Sequence, residues 1–153
     1  MTQAVSLHSI TMHETQGCLV VPIQEELSKT SANVIQKKIL ERIQAKPVIG
    51  VVIDLSGVQI IDAALWQIFV NTTRMIEVMG LSAVLTGLNP GTVASIIDLQ
   101  LNCDTVKTAM HLEDALKILV QDNSLPSLSS ETAAEPETDA QSVNDTALFG
   151  MNF

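Results

Sequence analysis

The stretch Val51-Val-Ile-Asp54-Leu-Ser-Gly-Val58-Gln-Ile-Ile-Asp62-Ala-Ala64 holds the key to the fold of this 153-residue chain. It is entered through Pro47 and a nearly continuous apolar run, Val48 to Leu55, rich in β-branched residues. A run of that length and composition suits a central strand covered on both faces. Ser56-Gly57 then turns the chain, Val58, Ile60 and Ile61 anchor a short loop, and Asp62 opens a helix. Asp is a good N-cap because its carboxylate accepts first-turn N–H bonds and opposes the positive end of the helix dipole. A buried strand running through a short loop into a capped helix is one βα unit of an α/β fold.

The same alternation extends in both directions. Upstream, Ile10–His13, the turn around Gly17 and Cys18–Pro22 predict a hairpin. Ser28 or Ser31 caps a helix running to about Ala45, with Val34, Ile35, Ile39 and Ile43 as its apolar stripe. Downstream, residues 63–79 form a second helix with Leu65, Ile68, Thr72, Met75, Ile76 and Met79 near one face, ended by Gly80. Leu81–Leu88 is a further buried strand. Asn89-Pro90 starts a helix that carries Val93, Ile96 and Ile97 to about Leu101, since Asn caps and Pro is favoured at the first helical position. Thr105–Met110 is a short strand, and Leu112, Ala115, Leu116 and Leu119 line a last helix. The expected order is ββαβαβαβα, a mixed sheet with helices packed against it.

Composition divides the chain in two. The 17 acids outnumber the 8 bases, for a net charge of −9, which disfavours a nucleic-acid binder because that needs clustered Lys and Arg. Six of the acids and none of the bases lie in 122–153, a Ser- and Pro-rich segment that cannot bury enough apolar surface to offset its ordering entropy. Residues 1–121 are therefore expected to form one domain, and 122–153 an acidic, disordered tail with an apolar end, Ala147-Leu-Phe-Gly-Met-Asn-Phe153. The N-terminal stretch has no secretory pattern, and no apolar run approaches the ~20 residues of a spanning helix, so a cytoplasmic location is expected.

Catalytic chemistry finds little support. His8, His13 and His111 have no paired carboxylate at ligand spacing, and Cys18 and Cys103 are too far apart for a Cys-plus-His zinc site. No phosphate-cradle or nucleophile-elbow motif occurs; Gly87 and Gly91 flank Leu-Asn-Pro without a nearby base, which favours turn geometry. No metal, cofactor or enzymatic activity is expected.

The motif Asp54-Leu55-Ser56-Gly57-Val58 followed by Ile61-Asp62 resembles the signature of STAS domains, the fold of bacterial anti-sigma factor antagonists. Met79-Gly80, Val84-Leu85-Thr86-Gly87 and Pro90 resemble the family's next strand and helix. The opening hairpin with Cys18–Gln24 and Glu26-Leu27 is most similar to the RsbS-type stressosome subunits. The resemblance spans about residues 7–121. It implies a non-enzymatic scaffold that associates with itself and with RsbR-type sensor paralogues and sequesters an RsbT-type serine/threonine switch kinase.

In the family the residue after the Ile-Asp aspartate is a Ser or Thr that the kinase phosphorylates; here it is Ala63, which has no hydroxyl. Either the subunit is non-switchable by nature, or Ala63 stands where a serine has been replaced to mimic the unphosphorylated state. The implied partner-binding residues are Ile60, Asp62, Ala63 and Ala64, with Trp66, and beside it Phe69, as exposed aromatic anchors. Ser95 lies in the helix after Pro90, where the resemblance to RsbR-type paralogues implies a second phosphosite, with ordinary packing or solvent exposure as the alternative; Ser56 is another nearby hydroxyl. The alternative reading is a STAS module that senses a nucleotide or other small ligand.

Overall fold

The computed structural model describes residues 10–24 and 27–124. His8 and the segment from 125 onward, including the apolar 147–153, lie outside the described residues. Strands β1 (His13–Thr15), β2 (Cys18–Gln24), β3 (Gly50–Gly57), β4 (Ser82–Thr86) and β5 (Lys107–Ala109) form one sheet in that spatial order. β1 and β2 are an antiparallel hairpin, whereas β2, β3, β4 and β5 run parallel. Helices α1 (Lys29–Ala45), α2 (Ala63–Val78) and α3 (Pro90–Asp98) make the crossovers, and α4 (Leu112–Ser124) follows β5. The hairpin turn places Gln16 and Gly17 at positive φ (53° and 81°), as a tight two-residue connection requires.

Alternation along the strands divides the core between two faces. Leu19, Val21, Ile23, Val51, Ile53, Leu55, Ala83 and Leu85 point into the larger cluster with α1, α2 and Ile96 of α3. Cys18, Val20, Val52 and Val84 point to the other face, where Ala115, Leu116 and Leu119 of α4 cover them. The cysteine is thus a small buried hydrophobe, and burial raises its thiol pKa. In-register pairs such as Leu19↔Val51 and Val51↔Ala83 carry each apolar row across the sheet. β3, at the centre, is sealed on both sides, as its unbroken apolar run requires.

Local chemistry sets the helix ends. Ser28 caps α1 by accepting from Ser31 N at 3.1 Å. α2 ends in a Schellman arrangement: Gly80 has φ 91°, its N–H reaches Glu77 O, and Leu81 N reaches Ile76 O. Glu14 of β1 ties the hairpin to the end of α1 by accepting from Lys46 Nζ at 2.9 Å and from Arg42. The hydrogen bonds from Lys46 and Arg42 hold its carboxyl below the ordinary value.

Two expectations need correction here. Trp66 and Phe69, expected to face outward, are both 2% exposed, while Met75 and Met79, expected inside, are exposed. The reason is that α2 is buried along two sides: Thr72 Oγ1 accepts from Gln36 Nε2 of α1 at 2.9 Å, and Trp66 Nε1 donates to Asn102 O, between α3 and β5, at 3.1 Å. A helix packed in this way buries more than one stripe, and the buried indole finds a partner for its N–H. Val93 and Ile97 of α3 are likewise exposed and only Thr92 and Ile96 are buried. The second correction concerns the tail boundary. Residues 122–124 continue α4, and Asp122 accepts from Lys107 Nζ of β5 at 2.6 Å.

Because Leu119 alone of the last turns of α4 is fully enclosed, Leu119→Ala is expected to cost about 2–5 kcal/mol. Val120→Ala, on the exposed side of the same turn, should stay within about 0.5 kcal/mol. Urea denaturation of the two variants checks the pair; equal losses would mean that α4 does not seal the second face.

Candidate functional site

The site lies at the C-terminal ends of β3 and β4, where two loops meet. Asp54, the last aligned residue of β3 opposite Thr86 of β4, turns its Oδ1 back to accept from Ser56 N at 2.9 Å. This contact lies in the last residues of β3, just before the 58–62 loop. Val58 and Ile61 are buried (3% and 1% exposed) and pin the loop into the core, which leaves Ile60 between them 80% exposed. Asp62 has extended dihedrals, and its Oδ1 accepts from Leu65 N at 2.8 Å, so it caps α2 as its sequence position implies.

The neighbouring β4–α3 connection braces this loop. Asn89 is used twice: Oδ1 caps α3 by accepting from Thr92 N at 2.8 Å, and Nδ2 donates across to Val58 O at 2.9 Å. Thr92 Oγ1 donates to Gln59 O at 3.3 Å. Loop carbonyls that point away from any strand partner are thus satisfied by the start of the next helix. Gly87 makes the close approach possible: with φ 76°, it lies where a Cβ would come within 2.6 Å of both Ser56 N and Asp54 Oδ1. Turn geometry and tight backbone approach therefore explain Gly87.

The structure brings Ile60, Asp62, Ala63 and Ala64 together as one short surface. Ala63 is the first residue of α2 and is exposed, and Ala64 is half-buried. A hydroxyl or phosphate at position 63 would stand at a helix N-terminus immediately beside the Asp62 carboxylate. Trp66 is absent from this surface; enclosed one turn further along, it acts as a core residue. Ser95 is half-buried, and its Oγ donates to Gly91 O at 3.0 Å, the back-bonding common for serines within helices. Ser56 is exposed near the end of β3. Sequence reasoning missed Asn89 as the loop brace, because its capping signature accounts for only one of its two roles. Among the described residues no group of three or more His, Cys, Asp or Glu is placed to hold a metal ion, and no helix is long and apolar enough to cross a membrane.

Comparison with known proteins places this geometry in context. The STAS domain family model matches residues 9–115. The RsbT co-antagonist protein RsbRD of Bacillus subtilis (strain 168) is 29% identical over 105 residues, which is 67% of this chain but only 37% of that protein. The chain thus spans little more than a third of the length of that relative. Among solved structures, a Moorella thermoacetica RsbS carrying a serine-to-glutamate substitution aligns with a TM-score of 0.67 at 25% identity, covering 76% of this chain and 99% of that one. A chain of the stressosome, described as a signal integration and transduction hub, aligns with a TM-score of 0.65 at 25% identity, covering 75% and 100%.

The brace and the cap make separable contributions. Asp62→Ala is expected to lower stability by about 1 kcal/mol, and Asp62→Asn, which keeps the cap, by much less. Gly87→Ala is expected to cost on the order of 1–3 kcal/mol, because a Cβ there meets both unfavourable dihedrals and backbone. Thermal denaturation of the three variants gives the order, and a Gly87→Ala protein as stable as the parent would contradict the close approach.

Proposed function

This chain belongs to the STAS domain family, and we propose that it is a non-enzymatic scaffold subunit of a stressosome-like, cytoplasmic signalling assembly. In this reading it associates with its own kind and with RsbR-type sensor paralogues, and captures an RsbT-type serine/threonine switch kinase. Residues 10–124 form the scaffold domain, and the acidic segment beyond is an extension of it. The observation that carries the reading is an exposed residue at the first position of α2, flanked by the Asp62 cap and the protruding Ile60, at the place where the resembled family carries its phosphoacceptor. The kinship with RsbRD, named for its relation to RsbT, and with RsbS supports the choice of partners.

The mechanism follows from charge and shape at that position. Ile60 offers an apolar contact held out by a rigid loop, and the first turn of α2 offers small, neutral side chains over which a partner packs closely. A phosphate would bring about −1.5 to −2 charges beside Asp62. The helix dipole tolerates that charge locally, but its bulk and hydration displace a partner seated on the same turn. Ala63 keeps the surface neutral, so this chain holds its kinase in the capture state.

Ala63→Glu is therefore expected to weaken retention of an RsbT-type kinase by tenfold or more in a pull-down, with an unchanged melting temperature. Ala63→Ser is expected to gain one phosphate on incubation with kinase and ATP, read as about 80 Da by mass spectrometry at that residue. Full retention by the Ala63→Glu protein would overturn the assignment of the docking surface.

A further inference from the structure

An apolar groove outside the site lies at the opposite end of the domain. This groove of about 450 Å³ runs between α1 and the last turns of α2, lined by Leu40, Asn71, Arg74, Met75, Val78 and Met79. Val78 is 89% exposed, and Met75 and Met79 are more than 40% exposed, so three large apolar side chains face water at the end of one helix. Arg74, exposed at the groove, has no ion-pair partner among the described residues. Such a surface is adaptable, because thioether side chains repack around an incoming group and make favourable contacts with aromatic rings.

The chain's own sequence supplies a matching segment. Beyond Ser124, residues 125–146 carry only Leu125, Leu128 and Val143 as large apolar side chains, whereas 147–153 carry Leu148, Phe149, Met151 and Phe153 in seven positions. The five acids past Ser124 (Glu131, Glu135, Glu137, Asp139 and Asp145) are accompanied by no base, and Asp145 lies two residues before the apolar stretch. That charge is complementary to the free guanidinium of Arg74.

Topology brings the two within reach. α2 ends at Val78, four residues before Ser82 begins β4, and Ser82 is in register with Gly50 at the start of β3. Leu119 of α4 packs on that same Gly50, so α4 also terminates at this edge of the sheet, on the other face. Two helix layers about 10 Å either side of a sheet are some 20 Å apart. The 23 residues from Ser124 to Ala147 can extend to about 75 Å, well over the path around the edge. We infer that residues 147–153 dock in the α1–α2 groove of their own domain, with Phe149 and Phe153 against Met75 and Met79 and the acidic approach beside Arg74.

Methyl NMR on the full chain, compared with the chain ending at 146, tests this. Deletion is expected to shift the methyl signals of Met75, Val78 and Met79 and to leave Met110, exposed past β5 at the far end of the sheet, unmoved. A synthetic 147–153 peptide added to the shortened chain is expected to restore the shifts. At 89% exposure, position 78 allows Val78→Asp in the full chain without unfolding, and it should reproduce the effect of deletion, as should Phe149→Asp with Phe153→Asp. Dilution should leave the full-chain signals in place. Unchanged groove methyls on deletion would overturn the inference. So would shifts centred on Met110, or groove signals that vary with concentration in both chains, which would mean that a second copy covers the face.

Discussion

Everything at the candidate site hangs on the double-sided burial of β3. Val51, Ile53 and Leu55 are locked against α1 and α2, Val52 is locked against α4, and the strand is hydrogen-bonded to parallel neighbours on both edges. A strand confined in this way cannot slip by one residue without moving its whole apolar set to the wrong face. Its C-terminal end is therefore a fixed platform, and Asp54, the first polar residue on it, always meets Ser56 N in the same geometry. The position of the loop, and so of α2, follows from that anchor.

The second constraint is the hydrogen bond from Asn89 to Val58 O, which joins two consecutive βα connections. Loops at the ends of parallel strands commonly carry function because the scaffold beneath them is rigid. Here a neighbouring helix cap also supports the loop, and buried Val58 and Ile61 leave it no apolar reason to open. A docking surface that is already ordered loses less entropy on binding. This suits the proposed role of holding partners, and it explains how Ile60 can stay exposed without collapsing onto the domain.

Much of this was legible in the sequence because the determinants are local. The caps at Ser28, Asp62 and Asn89 act within three residues, and the continuous apolar runs of β2 and β3 reflect burial on both faces of the sheet. The α2 face was not legible. Its periodicity points to a single stripe, whereas contacts with α1 on one side and Asn102 on the other bury Trp66, Phe69 and Thr72 together and turn Met75 and Met79 outward. The end of α4 is hidden for a similar reason: Asp122 counts as acidic tail by composition, yet Lys107 pairs with it from a strand distant in sequence. The bond from Asn89 to Val58 has no sequence signal beyond the cap, since it depends on how two loops approach over Gly87.

The central claim is that the protruding loop residue and the first turn of α2 form the kinase-binding surface. Ile60 offers the most direct test, since at 80% exposure it contributes little to the core and its replacement isolates binding from folding. Titration calorimetry of an RsbT-type kinase against the Ile60→Asp protein should show affinity weakened by tenfold or more, with a melting temperature equal to that of the parent. Equal affinity of the two proteins for the kinase would contradict the account and move the docking surface elsewhere on the domain.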